Sequence, residues 1–201
     1  TAKKRLIQLG EKQDSIFEIG SPDIDIMISG EIPAIDEAKA RYDIEFQEFA
    51  LALLHPVTTL SDEEQKKEAE VFCQVLEESK KNIILVDPNN DLGSDHIFSA
   101  YEKLKKNDNI RIYPSIRFEY FLSFLRNALF IIGNSSCGIH EAPIYGIPTI
   151  NLGSRQNNRF KHSSIFNLGF EKDAILNKIE NIAGERFEMT QHFGQGKSSE
   201  K

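Results

Sequence analysis

The residues most able to do chemistry here sit in one short stretch, Gly133-Asn-Ser-Ser136-Cys-Gly138. It follows the apolar run Ala128 to Ile132 and leads into Ile139 to Tyr145. A strand that turns through small residues into a helix leaves backbone N–H groups pointing at open space, and the helix dipole makes that a favourable place for an anion. Ser135 and Ser136 add hydroxyls at the same rim. Glu141 follows about one turn into the helix. A carboxylate there is badly placed for a phosphate but suited to accept hydrogen bonds from sugar hydroxyls. The stretch therefore reads as a socket for phosphate plus ribose. The alternative is a plain strand–turn–helix with Ser136 as its N-cap.

Other polar residues fall at comparable places. His55 closes the apolar run Phe49 to Leu54 and is followed by Pro56. An imidazole there can donate to a phosphate oxygen or act as a general acid, or it can simply cap the strand end. Arg155 and Arg159 lie in a Gly- and Asn-rich loop, and a planar, forked guanidinium suits a diphosphate. Asn89 and Asp91 belong to Asp87-Pro-Asn-Asn-Asp, which also reads as an ordinary turn. His140 reads as solvated or structural. Two phosphate motifs are excluded. Gly133-x-x-x-x-Gly138 is followed by Ile139 and His140 instead of Lys and Ser or Thr, and Gly196-Lys-Ser lacks its first Gly because Gln191 stands there. No Gly-x-Gly-x-x-Gly follows a strand, so NAD and FAD are not supported.

These residues need a scaffold that brings them to one rim. From residue 49 onward, short apolar strands alternate with amphipathic helices. Strands are expected at 49–54, 83–86, 110–113, 128–132 and 149–152. Ser61 with Glu64 makes a capping box for a helix running to about Lys80, with Ala69, Phe72, Val75 and Leu76 on one face. Further helices are expected at 94–105, 117–127, 139–145 and 173–182, and a polar loop at 153–163. Strands apolar on both faces and alternating with helices mark a doubly wound, Rossmann-like α/β parallel sheet. Ligands of such sheets sit beyond the strand carboxyl ends. That is where His55, Thr58, Asn89, Asp91, Ser135, Ser136, Arg155 and Arg159 all fall.

Before this sheet, a helix is expected from Thr1 to Leu9, a strand at 15–19, and helices at 23–28 and 34–42. The chain divides on this reading into residues 1–45, residues 46–192 as the Rossmann-like domain, and residues 193–201 as the start of a helix capped by Ser198. Both ends read as interior to a longer protein. The chain has 201 residues, 40% of them apolar, and a formal net charge of −7. It has no basic run, which argues against a nucleic-acid groove. No apolar run approaches the length of a membrane span. Cys73 and Cys137 have no metal-ligand spacing, and neither a disulfide nor a metal centre is expected.

Four blocks carry a resemblance. They are Leu54-His-Pro-Val-Thr-Thr59, Asp87-Pro-Asn-Asn-Asp-Leu-Gly-Ser94, Gly133-Asn-Ser-Ser-Cys-Gly-Ile-His-Glu141 and Asn151-Leu-Gly-Ser-Arg-Gln156. In order and spacing they resemble the hydrolysing UDP-N-acetylglucosamine 2-epimerases of sialic-acid-type sugar biosynthesis. The resemblance implies one half of a GT-B-type two-domain fold, with this chain as the C-terminal, nucleotide-binding half and the N-terminal half missing. By position it implies that Ser135 and Ser136 hold the diphosphate and Glu141 the ribose hydroxyls. Arg155 would add contacts near the nucleotide, and Asn89 would line the site. Phe121 falls where relatives place an aromatic against the base, with a core phenylalanine as the equal alternative. His55 would be the catalytic histidine. The implied reaction eliminates UDP from a UDP-sugar and then adds water, with no metal or redox cofactor. The base that removes the C2 proton would come from the other half. A cytoplasmic, homo-oligomeric protein is expected, and the isolated chain is expected to bind nucleotide at best.

Other readings stay open at this point. A 2,4-diacetamido-2,4,6-trideoxy nucleotide sugar of the legionaminic type could replace the substrate. A glycosyltransferase on the same fold is disfavoured by the His-Pro-Val-Thr block. A non-catalytic nucleotide-sugar sensor would bind without turnover.

Overall fold

A computed structural model describes residues 2–200. Thr1, the expected first residue of the first helix, and Lys201 lie outside the described residues. The chain divides into two compact units: Pro33–Thr190, and the segments on either side of it.

The smaller unit contains helix α1 (Ala2–Gln8), a 3-10 turn (Gln13–Ser15) and helix α2 (Pro22–Ser29). Pro22 suits the first turn of α2, where its missing N–H is no loss, and left-handed Gly30 (φ 78°) ends it. The strand expected at 15–19 does not form. Those residues are mostly exposed, and no described strand of this unit offers them a ladder. The helix start expected at 193–201 is instead a 3-10 turn, Ser198–Glu200. Ser198 does not cap a helix of its own. Its N–H donates to the Asp25 carboxylate at 2.9 Å, and its hydroxyl donates to the same oxygen.

The larger unit is a six-stranded, all-parallel sheet. Its strands are β1 (Ala50–Leu53), β2 (Ile83–Val86), β3 (Ile110–Tyr113), β4 (Ile131–Gly133), β5 (Thr149–Leu152) and β6 (Ile165–Leu168). Helices α3 (Ile35–Tyr42), α4 (Asp62–Glu78), α5 (Ser94–Tyr101), α6 (Phe118–Asn127), α7 (Cys137–His140) and α8 (Lys172–Ile182) connect and cover them. The strand order is β3-β2-β1-β4-β5-β6, the doubly wound Rossmann order. Alternation along β1 divides the core. Ala50, Ala52 and Leu54 belong to a cluster with Phe72, Val75 and Leu76 of α4, Ile97 of α5 and Ile175 and Ile179 of α8. Leu51 and Leu53 point the other way, toward the face where Phe49 meets Phe124 of α6 edge-on at 5.8 Å.

The capping box forms as expected. The Glu64 N–H donates to Ser61 Oγ (3.3 Å), and the Ser61 N–H donates to Glu64 Oε2 (2.9 Å). Three elements depart from expectation. β6 is a sixth strand that sequence reasoning did not anticipate. It lies at the sheet edge, paired only with β5, and exposed Asn167 interrupts its apolar run. The helix expected at 94–105 tightens after Tyr101 into a 3-10 segment, Glu102–Lys106. The helix expected at 139–145 is the short α7 followed by a 3-10 turn, Ala142–Tyr145. Pro143 would clash with the carbonyl four residues back if the α-helix continued.

Candidate functional site

β1 and β4 lie side by side, and the winding diverges between them: the chain leaving β1 runs through α4 to β2 on one side, and the chain leaving β4 runs through α7 to β5 on the other. This is the topological switch point, where strand connections diverge and open a crevice. His55 follows β1 and Asn134 follows β4, so both stand at that crevice. Gly133 permits the approach. Its backbone has φ +133°, and a Cβ there would lie 1.8 Å from the Leu53 carbonyl oxygen. Only glycine fits.

Asn134 ties the two strand ends together. Its N–H donates to the Leu53 carbonyl at 3.1 Å. Its side chain accepts from the His55 N–H at 2.7 Å and donates to the His55 carbonyl at 2.8 Å. Its own carbonyl accepts from Gln156 Nε2 at 2.8 Å and from Arg155 Nη1 at 3.2 Å. Asn134 and Gln156 are 1% and 3% exposed, so these are interior bonds. The loop after β5 is thereby pinned to the loop after β4.

The His55 ring is fixed as well. Its Nδ1 accepts the Asn89 N–H at 3.1 Å, which places the proton of the neutral ring on Nε2. Burial, and next the Arg155 cation, push its pKa down to about 4, against the opposing pull of Asp91. The ring is neutral at physiological pH and offers an N–H donor. Asn89 in turn donates its side-chain amide to Asp91.

The backbone after Asn134 differs from the expected cap. Ser136 is already helical (φ −63°, ψ −23°), its side chain caps nothing, and its carbonyl accepts from the Ile139 and His140 N–H groups. The preceding N–H groups, of Ser135, Ser136 and Cys137, donate to no backbone carbonyl among the described residues. Successive donors in such a turn form a small anion-binding concavity, without the dipole of a long helix. Gly138 lets this turn lie on β5, because a Cβ would fall 2.6 Å from the Thr149 methyl group. Thr149 Oγ1 donates to the Gly138 carbonyl at 2.8 Å. Burial holds the Cys137 thiol up at about 12, so it is no nucleophile.

Of the residues expected at the site, His55, Asn89 and Arg155 join one cluster, and Ser135 and Ser136 adjoin it through Asn134. Glu141 is half-buried at the end of α7, one turn beyond those serines. Phe121 lies on α6 and is 9% exposed. Arg159 and Thr58 are solvent-exposed. Among the described residues no group of three or more His, Cys, Asp or Glu side chains is placed to hold a metal ion. Asn134 and Gln156 were overlooked as site residues. The signal was an Asn directly after the strand-ending glycine, and a Gln directly after the arginine. The crevice is rich in donors: turn N–H groups, serine hydroxyls, a guanidinium and an imidazole N–H. Such a set is complementary to a phosphorylated anion.

A family model described as UDP-N-acetylglucosamine 2-epimerase matches residues 1–201. The chain belongs to that family. Among curated relatives of this epimerase-family chain, a UDP-N-acetylglucosamine 2-epimerase of Neisseria meningitidis is 41% identical over 97% of the chain and 52% of the relative. The polysialic acid biosynthesis protein P7 of Escherichia coli is 33% identical over 92% of the chain and 48% of the relative. A hydrolysing UDP-N,N'-diacetylbacillosamine 2-epimerase of Legionella pneumophila is 29% identical over the whole chain and 53% of the relative. The chain thus spans about half the length of the curated relatives it matches. In fold it is similar to the UDP-GlcNAc 2-epimerase of Methanocaldococcus jannaschii, solved with UDP-GlcNAc and UDP. The TM-score is 0.72 at 23% identity, over 99% of this chain and 56% of that one. The doubly wound sheet of the family member corresponds to one half of the GT-B-type architecture of these neighbours.

Proposed function

We propose that the chain is the nucleotide-binding half of a hydrolysing UDP-N-acetylglucosamine 2-epimerase, converting UDP-N-acetylglucosamine and water to N-acetylmannosamine and UDP. The observation that carries this reading is the donor cluster at the switch point, built by Asn134 around His55 and Arg155. The Ser135–Ser136 turn and Arg155 hold the diphosphate, and Glu141 accepts from the ribose hydroxyls. Asn89 lines the site, and Phe121 borders the base.

A base from the rest of the protein removes the C2 proton, the C1–O bond to the diphosphate breaks, and the electron pair of that bond leaves with UDP. Water then gives its hydroxyl to C1, and a proton returns to C2 on the opposite face. Atoms balance and no redox step occurs. The leaving diphosphate gains charge as the bond breaks. The turn N–H groups, Arg155 and His55 Nε2–H are preorganised for that charge, the usual source of the largest rate term. His55 donates a hydrogen bond as a neutral imidazole, which costs no proton release at pH 7. A cytoplasmic, homo-oligomeric protein belongs to the same reading.

A second substrate reading is favoured by relatives named as hydrolysing diacetylbacillosamine 2-epimerases, which match 100% and 89% of the chain. The deciding experiment titrates the chain with UDP by calorimetry, with GDP as comparator, beside a Ser136→Ala, Glu141→Ala double variant. Saturable UDP binding, lost in the variant, is expected. The full-length protein is then given UDP-N-acetylglucosamine and UDP-N,N'-diacetylbacillosamine in parallel, and release of the free sugar names the substrate. Full-length protein that binds no nucleotide would overturn the proposal.

A further inference from the structure

Asn134 sits between the two side chains that matter most to the reaction, without any chemistry of its own. We propose that Asn134 is a positioning residue that sets where the His55 imidazole stands, and that Gln156 holds Asn134 in that role. The inference rests on the reading of His55 as the group facing the diphosphate.

Three observations support it. First, the Asn134 carboxamide makes two bonds to the backbone of His55, one donated (2.8 Å) and one accepted (2.7 Å). Only a carboxamide can do both, because a carboxylate lacks the donor and a hydroxyl lacks the span. The pair fixes the peptide on both sides of the His55 Cα, and hence the root of the ring. Second, the Asn134 carbonyl collects Gln156 Nε2 and Arg155 Nη1. The cation that faces the ring is thus anchored to the residue that anchors the ring. Third, Gln156 is 3% exposed and comes from the loop after β5, so its donor is a fixed interior strut. Arg155 and Asp91 are the charged groups that act on the ring, from the loops after β5 and β2. A change at Asn134 alters the ring's distance to the first of them directly.

The test uses full-length protein carrying Asn134→Asp, Gln156→Met or His55→Ala, with turnover measured against substrate concentration. His55 is followed by NMR in the parent and in the Asn134→Asp and Gln156→Met variants. Asn134→Asp removes the bond to the His55 carbonyl and sets a carboxylate beside Arg155. Its His55 titration midpoint is expected to rise from about 4 toward the ordinary 6.5, with kcat falling about 100-fold and KM changing less than about threefold. Gln156→Met keeps the volume and removes one donor. It is expected to lower kcat about tenfold in the same pattern, and it serves if the aspartate variant does not fold. Normal kcat and an unmoved His55 titration in the folded variants would overturn the positioning role while His55→Ala is inactive. Full activity in His55→Ala would instead overturn the underlying reading of His55.

Discussion

At the scale of single residues, the site rests on a few positions that tolerate one side chain. Gly133 is the strictest. A methyl group there would overlap a β1 carbonyl at 1.8 Å, and the backbone angle is itself unfavourable for other residues. Gly133→Ala is expected to cost more than about 3 kcal/mol, read as a lower midpoint in urea or as failure to fold. His55 carries a pH signature. Its folded pKa of about 4 lies below the ordinary 6.5, so between those values the unfolded chain binds a proton that the folded chain refuses. Its contribution favours the folded state above pH 6.5 and is lost as pH falls toward 4. Urea unfolding at several pH values is expected to show a shallower acid-side loss in His55→Gln than in the parent. The sequence displayed His55, Ser135, Ser136 and Arg155 because each ends or follows an obvious apolar run. It did not display Asn134 as more than a small turn residue. Asn134's partners are backbone groups 79 positions away, and no local pattern reports such a bond.

Among the elements, local rules account for most of what forms. The Ser61–Glu64 box starts α4, and the apolar stripe of that helix meets the sheet where its spacing directs. Ser61→Ala is expected to lower stability by about 1 kcal/mol without moving the site. Phe72 is fully buried in the same helix, and Phe72→Ala is expected to cost about 3–5 kcal/mol. Both follow from urea midpoints at an unchanged slope. Departures came where an element depends on its surroundings. β6 has polar Asn167 in its middle, accepting from Asn151 Nδ2 of β5 at 2.7 Å, so its apolar run is broken. Residues 15–19 have strand-like composition but pair with no strand among the described residues. The turn before α7 presents its loop N–H groups with only a short helix behind them, because Pro143 cuts that helix short.

For the molecule as a whole, the parallel sheet and its winding were legible, because strands apolar on both faces leave few other arrangements. The compact unit Pro33–Thr190 also takes in the helix before β1. α3 belongs to it: Tyr42 packs edge-on against Tyr113 and Phe124, and its hydroxyl accepts from the Arg117 N–H at 2.9 Å. A chain cut to Pro33–Thr190 is expected to melt in one cooperative transition and to keep UDP binding, checked by calorimetry. The same topology has a consequence for how the protein is made. β1 lies in the middle of the sheet, and one of its two neighbours is β4. On the ribosome, β1, β2 and β3 emerge in order and can pair as they leave the exit tunnel. His55 must then wait for Asn134, which is 79 positions later. At a synthesis rate of about 5–20 residues per second, that wait is about 4–16 s. Through that interval a naked apolar edge faces its crowded surroundings, a natural point of engagement for a chaperone. The crevice closes only when the second half of the sheet is born.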